Sequence, residues 1–72
     1  GDITAVQAQM PGLVLKILAK PGDKVQSGTA IIVLEAMKME VTVAAPRDGT
    51  VKEILVTEGE HVANHQDLAT IA

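Results

Sequence analysis

Apolar side chains fall in short runs rich in Val, Ile and Leu, broken every few residues by Gly, Pro, Asp or Asn, and no stretch keeps a helical period for three turns. That pattern predicts an all-β domain. Strands are expected at residues 3–8, 13–19, 30–35, 39–44, 50–56 and 68–71, with two shorter ones at 24–25 and 61–62. Turns are marked by Pro11-Gly12, Pro21-Gly22-Asp23, Ser27-Gly28, Arg47-Asp48-Gly49 and Glu58-Gly59, where glycine would supply the positive φ that other residues resist.

The pattern also repeats at an offset of 37 residues. Val6 matches Val43, Ala8 matches Ala45, Gly12 matches Gly49, Val14 matches Val51, Ile17-Leu18 matches Ile54-Leu55, Gly22 matches Gly59 and Val25 matches Val62. Conservative pairs such as Asp23 with Glu60, Ile31 with Leu68 and Leu34 with Ile71 fill the gaps. Turn glycines and apolar strand positions stay in phase, which a merely Val-rich composition would not achieve. Two copies are too few for a solenoid. They predict two halves of four strands facing each other across a pseudo-twofold axis as two packed sheets, with little exposed edge. Adding the offset to position 38 gives a point just past the C-terminus, so the turn at Lys38 is expected at the end of the domain opposite the two termini.

Composition narrows this picture. A chain of 72 residues makes one small domain, residues 1–72, whose core only modestly outweighs the entropy of ordering the backbone. Cysteine is absent, so disulfides and thiolate metal sites are excluded, and with no Phe, Tyr or Trp the core must be aliphatic. Nine acidic against six basic residues, with no aromatic to stack on a base, argue against nucleic acid as a partner. The apolar run at residues 31–34 is far too short to cross a bilayer, and no targeting signal opens the sequence. The expectation is a soluble, cytoplasmic domain without direct membrane insertion; the start at Gly1 rather than Met suggests a piece of a larger protein.

One segment is not explained by folding: Glu35-Ala36-Met37-Lys38-Met39-Glu40. It places a single lysine where a hairpin would turn, between two methionines with carboxylates outside them. Such an amine would stand in solvent on a rigid support. A lone lysine in a hairpin is ordinarily a solvated turn residue, and Met37 and Met39 could instead be packing residues, since they share one face of an extended chain. Glu35 and Glu40 could be solubilising charges, and no substrate-binding residues surround them to make a general acid and base. Two thioethers make a weak metal site. His61 and His65 have helical ligand spacing, but residues 58–67 read as turns around a short strand, so no metal site is expected. Lys16, Lys20, Lys24 and Lys52 read as solvated strand or turn residues.

The hexapeptide, preceded by Ile31-Ile32-Val33-Leu34, resembles the attachment motif of biotinyl domains, the biotin carboxyl carrier modules of biotin-dependent carboxylases, decarboxylases and transcarboxylases. Met10-Pro11-Gly12, Gly22-Asp23-Lys24-Val25, Ala45-Pro46 and Asp48-Gly49-Thr50-Val51 fall where that family has similar segments, so the resemblance covers nearly the whole chain. It implies a flattened β-barrel, or barrel-sandwich hybrid, of two four-stranded antiparallel sheets with the modified lysine at an exposed hairpin tip. It implies biotin as a covalent cofactor on Lys38, attached by a biotin protein ligase, and a role in carrying a carboxyl group between biotin carboxylase and carboxyltransferase sites. The domain itself would catalyse neither reaction. An ordinary lysine amine is protonated at neutral pH, so the ligase must help remove its proton. Met37 and Met39, flexible and polarizable, are the implied contacts for ligase and partner sites, with Ala36, Glu35 and Glu40 as further recognition elements.

Some positions depart from the family. Gln9 stands where many members have Pro, and His65 stands where the first half has Gly28, which leaves open whether the last turn keeps a positive φ. The constant offset predicts that the thumb insertion of some biotinyl domains is absent. A lipoyl-type or efflux-adaptor domain of the same fold would carry another modification or none, and an unmodified protein-interaction β-domain would never be acylated. Met37 and Met39 favour biotin over the first, since lipoyl domains commonly flank their lysine with Asp and Ala.

Overall fold

Eight short strands alternate with tight turns in the computed structural model, which describes residues 2–72. In order they are β1 (Thr4–Gln7), β2 (Gly12–Ile17), β3 (Lys24–Val25), β4 (Ala30–Ala36), β5 (Met39–Ala44), β6 (Gly49–Ile54), β7 (His61–Val62) and β8 (Asp67–Ile71). They form two four-stranded sheets, ordered β1-β8-β6-β3 and β5-β4-β2-β7, and every pairing is antiparallel. The described residues include no helix.

Shifting each strand by four in the series turns one sheet into the other, which is the expected pseudo-twofold relation in topological form. The core obeys it residue by residue. Val6, Ala8, Val14, Ala19, Val25, Ile31, Ile32 and Leu34 are buried in the first half, and Val43, Ala45, Val51, Val56, Val62, Leu68, Ala69 and Ile71 are buried at the matching places in the second. Interlocking loop bonds repeat as well. Gly22 N donates to Val51 O as Gly59 N does to Val14 O, and Gly28 N donates to Ala45 O as His65 N does to Ala8 O. Each sheet therefore takes strands and loops from both halves.

The strand boundaries differ from the expected ones in an ordered way. β2 and β6 stop at Ile17 and Ile54, before residues 19 and 56, because the chain there leaves one sheet to reach the other, burying Ala19 and Val56 between them. At their starts the strands begin one residue early, with Gly12 and Gly49 inside the ladder, paired with Val62 and Val25. These two glycines are not positive-φ turn residues. A β-carbon on Gly12 would lie 2.7 Å from Glu35 O, and one on Gly49 would lie 2.6 Å from Ile71 Cγ2, so both are required by close approach. The positive-φ glycines are Gly22, Gly28 and Gly59, and His65, at φ 65°, keeps the geometry of Gly28.

The loops at residues 18–23 and 55–60 are equally long, and no thumb interrupts the first half. β2 starts beside Ala36 and its chain runs on to β3, which pairs with Gly49 and Thr50, next to Ala72. The β4–β5 turn and the outermost described residues, Asp2 and Ala72, therefore lie at opposite ends of a molecule 36 Å long and 17 by 16 Å across.

Candidate functional site

β4 and β5 pair from Ala30 with Ala44 and, after a register shift between Ala30 and Ile32, run in unbroken register from Ile32 with Val43 to the closing pair of Ala36 with Met39, leaving Met37 and Lys38 as a two-residue turn. Both have positive φ, 52° and 64°, the signature of the type I′ hairpin turn whose twist matches the flanking strands. Sequences that make this turn easily use Asn-Gly; an L-residue with a β-carbon in the left-handed region costs about 1–2 kcal/mol. Met-Lys is held there by the ladder beneath it. Ala36, only 4% exposed, anchors the turn, and the close approach of Gly12 to Glu35 seats β2 against it.

The side chains sort cleanly. Met37 is 90% exposed and Met39 66%, while Lys38, Glu35 and Glu40 are also exposed. The methionines are thus not packing residues, and the left-handed turn removes the shared-face relation expected of an extended chain. Ala36 cannot be touched by a partner from outside; it sets the height of the turn. Glu35 and Glu40 are directly opposite each other, an arrangement of like charges that disfavours the hairpin. Across the sheet the same row continues through Leu13 to His61, giving an outer face of two carboxylates, a leucine and an imidazole below Lys38. A shallow open hollow of about 400 Å³ lies along this row.

Lys38 takes part in no side-chain hydrogen bond among the described residues. Nor do three His, Asp or Glu side chains gather anywhere among them as metal ligands would. His61 lies in β7 and His65 in a turn, so their spacing has no helical meaning. The arrangement presents an amine: it has an exposed lysine on a firm hairpin between two exposed methionines. The sequence reading missed the left-handed backbone of the tip, the neighbouring Leu13 and His61, and Met10, which is 36% exposed and lines a groove with Leu34 and Val41. The available signal for Met10 was the internal repeat, in which its counterpart is Arg47.

A family model described as "Biotin-requiring enzyme" matches residues 4–71. The chain is 49% identical over 57 residues to the pyruvate carboxylase of Bacillus subtilis, a match covering 79% of this chain and 5% of that protein. It is also 49% identical over 57 residues to the biotin carboxyl carrier protein of acetyl-CoA carboxylase from Solanum lycopersicum, covering 79% of this chain and 81% of the relative. Among solved structures, the Kluyveromyces lactis urea carboxylase superposes with a TM-score of 0.95 at 33% identity, over 100% of this chain and 6% of that one. Against the long carboxylases the chain thus spans a small fraction of the relative's length.

Proposed function

The chain belongs to the family of biotin-requiring enzyme domains, and on that premise we propose that Lys38 is the residue to which biotin is joined. The domain is a biotin carrier and not itself a catalyst. Attached biotin supplies the ureido group that takes up and gives up a carboxyl group. The observation that carries the assignment is the tip itself: one unpartnered amine on a left-handed turn, flanked by two exposed methionines.

The residues present fit that group. A ligase would join Lys38 Nζ to the activated carboxyl carbon of biotin, the amine giving up a proton and the activated carboxyl its leaving group. Exposure of Met37 and Met39 gives the ligase two adaptable apolar contacts beside the amine. Glu35 and Glu40 are retained opposite each other despite their mutual repulsion, which supports a recognition role. We place residues 1–72 as one attachment domain of a biotin-dependent carboxylase or related enzyme. In such an enzyme the tip visits a biotin carboxylase site and a carboxyltransferase site, and the methionines meet those surfaces too.

Co-expression with a biotin protein ligase followed by intact-mass measurement tests this directly. The wild type should gain one biotin, and Lys38→Arg none, with stability within about 0.5 kcal/mol of the wild type because the side chain packs on nothing. An unmodified wild type, or an adduct persisting in Lys38→Arg, would sink the assignment.

A further inference from the structure

β1 and β5, one edge strand from each sheet, lie near each other with a groove between them. Its cavity is about 230 Å³. Pseudo-symmetry would centre such a groove on the twofold axis, with equal arms toward the two ends of the molecule. It is instead displaced toward the lysine hairpin. Its walls include Met10, Leu34 and Val41, but not their counterparts Arg47, Ile71 and Thr4.

Arg47 marks the asymmetry. Its guanidinium donates to Thr4 Oγ1, to Asp2 O and Ile71 O, and to Asp48 O, tying β1 to β8 at the end where the groove does not extend. At the hairpin end the equivalent residue is Met10, which has no such bonds to make, and the arm stays open. Apolar walls from Met10, Val41 and Val43 are joined by three side chains able to hydrogen-bond, Gln7, Gln9 and Thr42. Gln7 uses its Nε2 on Asp67 Oδ1, which leaves its amide oxygen to accept.

We infer that this groove is an intramolecular resting site for the biotin ring borne by Lys38, an inference that rests on the attachment proposed above. Reach decides the point. From the lysine Cα to the ring the arm has eleven bonds, and at the rise per bond of an extended chain that is about 13 Å. Val41 and Val43 are three and five residues along extended β5 from Lys38, at most about 10 and 17 Å away. The ring therefore arrives alongside the groove. Its fused carbon and sulfur framework suits the aliphatic walls, and its ureido N–H and C=O groups suit the two glutamines and the threonine. A cavity smaller than the usual 300–1,000 Å³ of free-ligand sites suffices, because attachment holds the ring at an effective concentration of order mM. Half occupancy then needs a dissociation constant of only that same order, and docking so weak leaves the ring available to partner sites.

The experiment uses the biotinylated domain labelled for NMR, with intact mass confirming the Lys38 adduct first. Nuclear Overhauser contacts are expected between ring protons and the methyl groups of Met10, Val41 and Val43, with amide shifts at Gln9 and Thr42 on going from apo to holo. Met10→Arg is the matched variant, since the carbonyls of Met39, Pro11 and Leu34 are the symmetry counterparts of three that Arg47 uses. It should close the groove, abolish those contacts and raise the rate of avidin capture roughly twofold, as expected when a half-docked ring is freed. Shifts confined to residues 35–40 in the wild-type holo domain overturn the resting site alone. Ring contacts that persist unchanged in a folded Met10→Arg domain do so too. Failure to form any Lys38 adduct overturns the attachment proposal and this one with it.

Discussion

Met37 and Lys38 hold a backbone conformation that neither side chain favours, and the strain sits at the turn proposed for biotin attachment. Met37→Asn places the preferred residue at the first turn position. It should stabilise the domain by about 1 kcal/mol in urea denaturation while lowering the rate of biotinylation if the lost thioether is the ligase contact proposed above. A variant that gained stability with an unchanged rate would mean that Met37 serves only the turn. The place of Lys38 was legible in the sequence, since the repeat put position 38 opposite the chain ends and the hexapeptide matched a known motif. Its torsions were not. A Met-Lys turn carries no Asn or Gly to announce positive φ, and the same silence hid His65, whose φ of 65° is imposed by the loop bonds it inherits from the symmetry-related Gly28.

Among the elements, β2 shows how a pattern of apolar residues gives a strand but not its ends. Its apolar run continues to Ala19, yet the strand ends at Ile17: one further bond to β4, from Leu18 N to Ile31 O, is the last before the chain leaves for the other sheet, a departure the sequence does not display. Gly12 has the sequence signature of turn punctuation, next to Pro11, but its role is steric. Gly12→Ala would push a methyl group into Glu35 O, and because that atom is backbone, β2 and β4 must separate. The expected loss is about 1–3 kcal/mol in a urea melt, accompanied by a weaker signal of the type I′ turn at residues 37–38 in NMR scalar couplings. Gly22→Ala meets no atom within 4 Å and suffers only from its φ of 96°, so its cost should leave the hairpin undisturbed.

The whole molecule is a near-copy of itself turned end for end, and its two ends differ in a few substitutions that divide labour between them. Arg47 gathers β1, β8 and the β5–β6 connection at one end. Arg47→Ala should cost about 1–3 kcal/mol, with hydrogen-exchange protection falling at Thr4, Thr50 and Ala72 first and the extent of biotinylation unchanged at temperatures below the melt. Protection lost equally at the hairpin would show that the two ends are not independent. The repeat made the fold and its symmetry readable, down to the paired core residues. It did not disclose the groove between β1 and β5, since a cavity arises from what two distant segments fail to fill.

The order of strands has a bearing on synthesis. β8, the last strand of the described chain, sits in the interior of its sheet between β1 and β6, and β4, which bears the lysine turn, lies against β2 and shares its sheet with β7. A nascent chain that has exposed the hexapeptide, but not yet residues 61–71, has the recognition residues without the scaffold that bends Met37 and Lys38 into place. Late closure of both sheets makes the turn a record of completed folding. A ligase that reads its shape will label finished copies and pass over truncated ones.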